Sequence, residues 1–92
     1  MQESPTRKDT LAARIWFATR VQERAQRESQ ATLIAGESRD GGGVFSLYTW
    51  SFEWMARWLL SFGTDAEVLE PAKLRKLVKQ EARAILQRYE DN

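Results

Sequence analysis

The sequence predicts a small α+β domain in which an antiparallel sheet carries helices on one face. Two observations predict this class. Short segments with alternating apolar and polar residues lie between segments of helical periodicity, and glycine-containing turns separate neighbouring strand candidates. The chain has 92 residues, enough for one domain, and 42% of them are hydrophobic, including four tryptophans. Such a composition provides a packed core and leaves apolar surface for contact with a partner.

The first half of the chain predicts a strand, a helix and a second strand. Alternation places the first strand over residues 12–18. Thr19 is expected to cap a helix over residues 20–28. The second strand is expected over residues 31–37. These elements would form the first strand–helix–strand unit of the domain.

A hairpin and a second helix follow. Asp40-Gly41 between two apolar segments is a strong signal for a tight hairpin turn, and residues 44–50 form the returning strand. Ser51 is a suitable N-cap for the next helix. Gly63 is expected to end that helix because glycine adopts left-handed backbone without steric cost.

The chain closes with a short strand over residues 66–69 and a helix over residues 72–89. The predicted order is therefore β-α-β-β-α-β plus an additional C-terminal helix, which is the ferredoxin-like split βαβ pattern. The additional helix is expected to cover the open face of the sheet or to contact a second copy. Residues 1–11 are interpreted as a disordered tail or linker remnant, and residues 12–92 as the domain.

Composition argues against an enzyme. The chain contains no cysteine and no histidine, which excludes disulfides, thiolate nucleophiles and nearly all zinc sites, and removes the commonest general base. No nucleophile–base pair is visible, so we expect no catalysis, no metal and no cofactor. Gly41-Gly42-Gly43 lacks the Lys-Ser/Thr of a phosphate-binding loop and is interpreted as a turn.

The absence of a membrane segment and the net charge say less about the function than the residue types do. No apolar segment approaches the ~20 residues that span a bilayer, and the first ten residues lack the hydrophobic stretch of a signal peptide. We therefore expect a cytoplasmic protein. Fourteen basic and thirteen acidic residues leave a net charge of +1, which gives no support to general binding of nucleic acid.

Five aromatic residues are candidates for a homodimer interface: Trp16, Tyr48, Trp50, Trp54 and Trp58. The first three are expected on the open face of the sheet. Trp58 is expected at the edge of the apolar stripe of the second helix, and Trp54 beside the polar line of that helix. Tryptophan is enriched among residues that anchor protein interfaces. Two other interpretations remain: the C-terminal helix covers the open face, or the aromatic residues stack on nucleic-acid bases.

The last helix carries a basic face. Lys76, Lys79 and Arg83 share it and are candidate contacts for nucleic acid or an effector, although solvated helix faces often have this pattern. Residues 73–88 contain six basic residues and one acidic residue. That acidic residue, Glu81, falls within the apolar stripe, so it is expected to meet an arginine or backbone donors, in one subunit or across a dimer.

Two motifs carry a resemblance to a known family. The segment Trp58-Leu59-Leu60-Ser61-Phe62-Gly63 closes the second helix, and Ala66-Glu67-Val68-Leu69-Glu70-Pro71 leads into the basic helix that ends near Tyr89. This pattern resembles the WCX domain, the C-terminal extension of WYL-domain transcriptional regulators, over residues 12–90. The Trp-to-Pro part is specific, whereas the N-terminal third matches in pattern only.

The resemblance implies a function. WCX domains have a ferredoxin-like fold and contribute to dimerisation and to relay of the effector-bound state between a WYL domain and a winged helix-turn-helix domain. The chain is thus predicted to be a homodimerisation and signal-relay module of such a regulator, with those two domains as partners. The alternative is a ligand-sensing domain that directly binds a small molecule or single-stranded nucleic acid.

Overall fold

The computed structural model describes residues 11–29 and 34–90. The described elements include four strands and three α-helices, with short 3₁₀ turns at Thr19–Val21 and Gly63–Asp65. The strands are β1 (Leu11–Ala18), β2 (Ile34–Arg39), β3 (Gly42–Thr49) and β4 (Ala66–Glu70), and the helices are α1 (Gln22–Glu28), α2 (Phe52–Leu60) and α3 (Ala72–Glu90). The predicted α+β class is confirmed.

The strands form one sheet in the order β2-β3-β1-β4, and each neighbouring pair is antiparallel. β1 lies in the interior of this sheet. It pairs with β3 along its whole length, from Leu11 opposite Thr49 to Ala18 opposite Gly42, and with β4 on its other edge. A displacement of β1 would therefore move both of its neighbours.

The turn between β2 and β3 is the tight hairpin that Asp-Gly predicts. Asp40 has φ 44° and Gly41 has φ 75°, and two consecutive positive φ angles are typical of a type I′ turn. Gly42, the next residue, lies against β1, and a Cβ atom there would collide with the carbonyl oxygen of Phe17. Gly41 is therefore needed for its positive φ angle, and Gly42 for the absence of a Cβ atom next to β1.

The core lies between one face of the sheet and the helices. Ile15 and Phe17 of β1 are fully buried in it, as the alternation of β1 predicts. Ala25 is the one buried residue of α1. The other members of this core come from β1, β3, β4, α2, α3 and the turn after α2: Ala13, Leu47, Phe52, Met55, Ala56, Leu59, Phe62, Val68 and Leu74.

α2 begins where the sequence places it. The Ser51 hydroxyl oxygen accepts a hydrogen bond from the backbone N–H of Trp54 at 3.1 Å, which confirms the predicted N-cap. Glu53 lies in the first turn, where the helix dipole favours an anion. The helix ends at Leu60, slightly earlier than predicted, and Gly63 adopts φ 62° in the following turn.

Two predictions about the first half were wrong or only partly testable. Thr19 does not cap a helix: its hydroxyl donates to the Gly41 carbonyl at 3.2 Å, and α1 begins three residues later. This contact with the hairpin turn competes for the side chain that would otherwise cap. The second strand extends to Arg39, beyond its predicted end, and positions 31–33 of the prediction lie outside the described residues.

α3 packs on the same side of the sheet as α2, so the expectation that it covers the open face is wrong. Leu74 is fully buried in the core, and Leu77 and Val78 pack against it. An apolar stripe can cover only one surface, and the stripe of α3 meets α2 and β4. From Ala82 to Glu90, every residue of the helix is exposed.

Gly42→Ala is expected to destabilise the domain by about 2–3 kcal/mol, because the added methyl group meets a backbone carbonyl of the paired strand. Urea unfolding measures this change. The matched control is Gly41→Asn: no atom lies within 4 Å of a Cβ there, and asparagine tolerates positive φ, so the change should be small. Equal effects of the two substitutions would contradict this account.

Candidate interaction surface

An open groove of about 300 Å³ lies between the end of β3 and the exposed flank of α2. Its floor includes Leu47 and Met55, and its walls are aromatic. We call it the aromatic groove. The residues that line it are Glu28, Ser29, Leu47, Tyr48, Thr49, Trp50, Ser51, Trp54, Met55 and Trp58.

Two tryptophans of α2 form one wall. Trp54 and Trp58 are four residues apart, so they lie on the same flank of the helix. Their rings stack with centroids 5.7 Å apart and planes inclined by 11°. Trp58 also contacts the rings of Phe17 and Phe62 in T-shaped geometry, with centroids 6.1 and 5.1 Å apart, so this wall is attached directly to the core.

Trp50 forms the opposite corner of the groove, between β3 and α2. The Thr49 hydroxyl accepts a hydrogen bond from the Ser51 N–H at 3.2 Å and donates one to the Ser51 carbonyl at 3.1 Å. This local bonding fixes the backbone on both sides of Trp50. The side chain nevertheless remains 62% exposed, and Trp54 remains 54% exposed.

Glu28 is the charged residue among the described residues that line the groove, and its carboxylate is held by two donors. The indole N–H of Trp58 donates to one carboxylate oxygen at 2.9 Å, and Arg24 donates to the other at 3.1 Å. The Trp58 hydrogen bond is the main cause of a lowered pKa of Glu28, followed by that of Arg24. Arg24 in turn lies over the Phe62 ring at 3.9 Å and donates to the Ser61 hydroxyl at 2.6 Å.

Four of the five predicted interface residues line this groove, and Trp16 does not. Trp16 lies opposite Val44 on the open face of the sheet, whereas Tyr48 lies opposite Ala12. Four residues of strand therefore separate Trp16 from Tyr48, about 13 Å at 3.3 Å per residue. Trp16 is half-buried and its indole N–H donates to the Arg39 carbonyl at 2.7 Å, so its polar edge is satisfied within the chain.

The open face of the sheet carries charges of both signs. Arg14 lies near its centre, but Glu70 accepts a hydrogen bond from it at 3.2 Å and Glu37 lies 3.8 Å away. These carboxylates offset Arg14, and Arg39 lines a second depression with Trp16 beside the carboxylates of Asp40 and Glu67. A stacking platform for nucleic acid needs a positively charged groove that follows the backbone, which this face lacks in the described residues.

The predicted basic face lies on the other flank of α2. Lys76, Lys79 and Arg83 are all exposed, as expected of a solvated helix face. Glu81 of α3 forms an ion pair with Arg57 of α2 at 3.8 Å, which confirms that it meets an arginine within one chain. The aromatic groove faces α1, so the structure does not bring the basic residues and the tryptophans together.

Sequence reasoning missed the contribution of α1 to this surface. Glu28 and Arg24 are an i,i+4 pair, a spacing that marks a helix-surface ion pair but does not reveal a tertiary partner. The i,i+4 spacing is therefore the only sequence signal for the role of Glu28 at this surface. The bond from Glu28 to Trp58 joins residues 30 positions apart, and it depends on how α1 and α2 lie on the sheet.

Comparison with known proteins adds a family. A family model of the WCX domain matches residues 9–86, which is most of the chain and includes every residue named above as lining the aromatic groove. The chain belongs to the WCX domain family. A search of curated proteins gives no match. The sequence motifs that indicated this WCX domain, from Trp58 to Pro71, contain one of the two tryptophans of the groove wall, the end of α2 and the strand that precedes α3.

Two further features of the described residues bear on this WCX domain. No group of His, Cys, Asp or Glu side chains there is arranged to hold a metal ion. No described helix has the length and apolar character needed to cross a bilayer.

Trp58→Phe is expected to raise the pKa of Glu28 toward its ordinary value, because the indole N–H is the largest cause of its depression. A carboxylate with a depressed pKa stabilises the fold above its unfolded pKa, and this contribution is lost as pH falls through the folded pKa. Carbon-detected NMR titration of the glutamate carboxylates measures the shift. Trp54→Phe is the control, because the hydrogen bond is retained; an unchanged Glu28 pKa in Trp58→Phe would contradict the assignment.

Proposed function

We propose that this WCX domain is a homodimerisation and signal-relay module of a WYL-type bacterial transcription regulator. Family membership supports the class of protein. The observation that carries the proposal is the aromatic groove, in which Trp50 and Trp54 remain more than half exposed on a rigid framework of core contacts and hydrogen bonds. The module works in the cytoplasm, beside the WYL and winged helix-turn-helix domains of the same regulator, and performs no catalysis.

Exposed tryptophans of this kind favour a protein partner. Tryptophan has a large apolar surface, and residues that contribute most to binding are enriched in Trp, Tyr and Arg. Trp54 stacks on Trp58, which is itself attached to the core, so little side-chain freedom remains to be lost on binding. Such pre-ordered aromatic anchors lower the entropic cost of an interface.

The fold we propose is the ferredoxin-like split βαβ with an added helix. The chain order places α1 between β1 and β2, and α2 between β3 and β4. β1 and β3 occupy the interior of the sheet, and β2 and β4 its edges. This arrangement supports the proposal because each strand–helix–strand half contributes one interior and one edge strand.

The relay follows from the position of β1. An effector-bound neighbouring domain acts on this module through the interior strand, whose register determines the positions of β3 and β4. β3 leads through Trp50 into α2, so movement of β3 changes the separation of the groove walls. Pairing of two copies and the state of the neighbouring domain are thereby coupled. The spacing of the DNA-binding domains is the proposed output.

The purified chain is expected to form a homodimer, and Trp54→Gln is expected to raise its dissociation constant at least about 30-fold, because Trp54 is an exposed anchor. Sedimentation velocity over a concentration series measures this constant. Thr64→Gln is the control, since Thr64 is exposed in the turn that follows the far end of α2. A wild-type chain that stays monomeric at high micromolar concentration would overturn the dimerisation proposal.

Short oligonucleotides are expected to leave tryptophan fluorescence unchanged. No basic residue is among the described residues that line the groove, and the basic residues of α3 lie on the other flank of α2. Titration with single-stranded oligomers at two salt concentrations tests this. Salt-sensitive quenching would instead favour the ligand-sensing alternative, in which nucleic acid stacks directly on the tryptophans.

A further inference from the structure

The second half of α3 is exposed on every side. Leu74 in its first turn is fully buried, but all residues from Ala82 to Glu90 are exposed. Ile85, Leu86 and Tyr89 are 48%, 54% and 76% exposed. The segment continues a helix that is anchored in the core at Leu74, so it needs no helix nucleus of its own. Its good helix formers make it ordered, but its large apolar side chains remain in solvent.

These apolar residues have the spacing of a helix that binds in a groove. Ala82, Ile85, Leu86 and Tyr89 occupy positions i, i+3, i+4 and i+7, which form one face of an α-helix. Amphipathic helices that bind apolar grooves present their anchors at these positions. The stripe begins inside the domain at Leu74 and continues beyond the part of α3 that packs on α2.

The surroundings of the aromatic groove are complementary to this helix end in charge. Of the described residues that line the groove, Glu28 is the only charged one, and Arg24 offsets it in an ion pair. The exposed carboxylate of Glu53 lies beside the groove, where it accepts a hydrogen bond from the lining residue Ser51. The exposed half of α3 carries Arg83, and Lys79 precedes it on the same helix. A basic apolar helix end therefore meets an apolar groove with one carboxylate at its rim.

The groove also suits this occupant in size. Its volume of about 300 Å³ is at the lower end of the range for small-molecule pockets. It is an open depression with aromatic walls, which has room for the tips of one or two large side chains. Side chains such as Ile85 and Tyr89, one helical turn apart, fit that description better than a drug-sized ligand.

We propose that two copies of the chain exchange their helix ends, so that the stripe of Ala82, Ile85, Leu86 and Tyr89 in each copy occupies the aromatic groove of the other. The inference rests on the proposed dimerisation and names the contact that produces it. Trp58 bonds to α1 on one flank of α2, whereas Glu81 of α3 bonds to Arg57 on the other. Each copy thus has a groove on one flank of α2 and an exposed helix end on the other. If each copy places its helix end in the groove of the other, the two copies form a closed two-fold dimer.

A mixing experiment with two full-length variants tests this arrangement. The groove variant is Trp50→Gln with Trp54→Gln, and the helix variant is Ile85→Gln with Tyr89→Gln. All four side chains are exposed, and glutamine is a good helix former, so both variants should keep their fold, which circular dichroism checks. A homodimer of either variant loses both contacts, whereas a mixed dimer keeps one intact contact.

Each variant alone is expected to show a dissociation constant raised at least about 30-fold over wild type. An equimolar mixture should form a heterodimer of intermediate affinity, resolved from homodimers by native mass spectrometry because the masses differ. Tryptophan emission in the mixture should shift to shorter wavelength, since the helix variant keeps both exposed tryptophans and its partner covers them. Ala84→Gln, on the opposite face of the same helix segment, is the matched control and should leave wild-type affinity unchanged.

The outcomes separate this inference from the function on which it rests. A wild-type dimer whose variants do not recombine would overturn helix exchange and leave dimerisation standing, with like surfaces in contact. If the wild-type chain dimerises and the helix variant has the same dissociation constant, helix exchange is likewise overturned and dimerisation stands. A monomeric wild-type chain would overturn both proposals.

Discussion

The ring of Phe17 is the contact on which the rest of the domain depends. It is fully buried on the inner face of β1 and lies 5.2 to 6.1 Å, between centroids, from the rings of Phe45, Phe62 and Trp58. One side chain thereby connects the neighbouring strand, α2 and the turn that ends it. Aromatic pairs in such tilted or edge-on geometry contribute beyond the burial of their area. Because Trp58 belongs to both this cluster and the groove, the orientation of α2 on the sheet also determines the shape of the interaction surface.

This shared residue explains how a chain of 92 residues maintains a rigid surface. Small domains bury a smaller fraction of their surface than large ones, so a residue that serves the core and a binding site at once is economical. Trp58 contacts the core rings in T-shaped geometry, stacks its face on Trp54 and donates its N–H to Glu28. The aromatic groove is thus an extension of the hydrophobic core toward solvent, and its exposed tryptophans are held by buried neighbours.

The surfaces of the domain differ in their local charge. The groove is lined by a carboxylate of α1 that accepts a hydrogen bond from Trp58 of α2. The open sheet face holds Arg14 between two carboxylates, and the basic residues of α3 lie on the far flank of α2. With a net charge of +1, the whole molecule has no dominant field, so local arrangement decides what each surface attracts.

The sequence by itself determined the order of elements, the Asp40-Gly41 hairpin, the Ser51 cap and the family, because each depends on local backbone preferences or on a short motif. Alternation also assigned Ile15 and Phe17 to the core. Only the tertiary structure decided that Trp16 lies apart from the other aromatic residues, that Thr19 bonds to the hairpin, and that α3 lies beside α2. These features depend on strand register and on which side of the sheet a helix packs, and residues far apart in the sequence determine both.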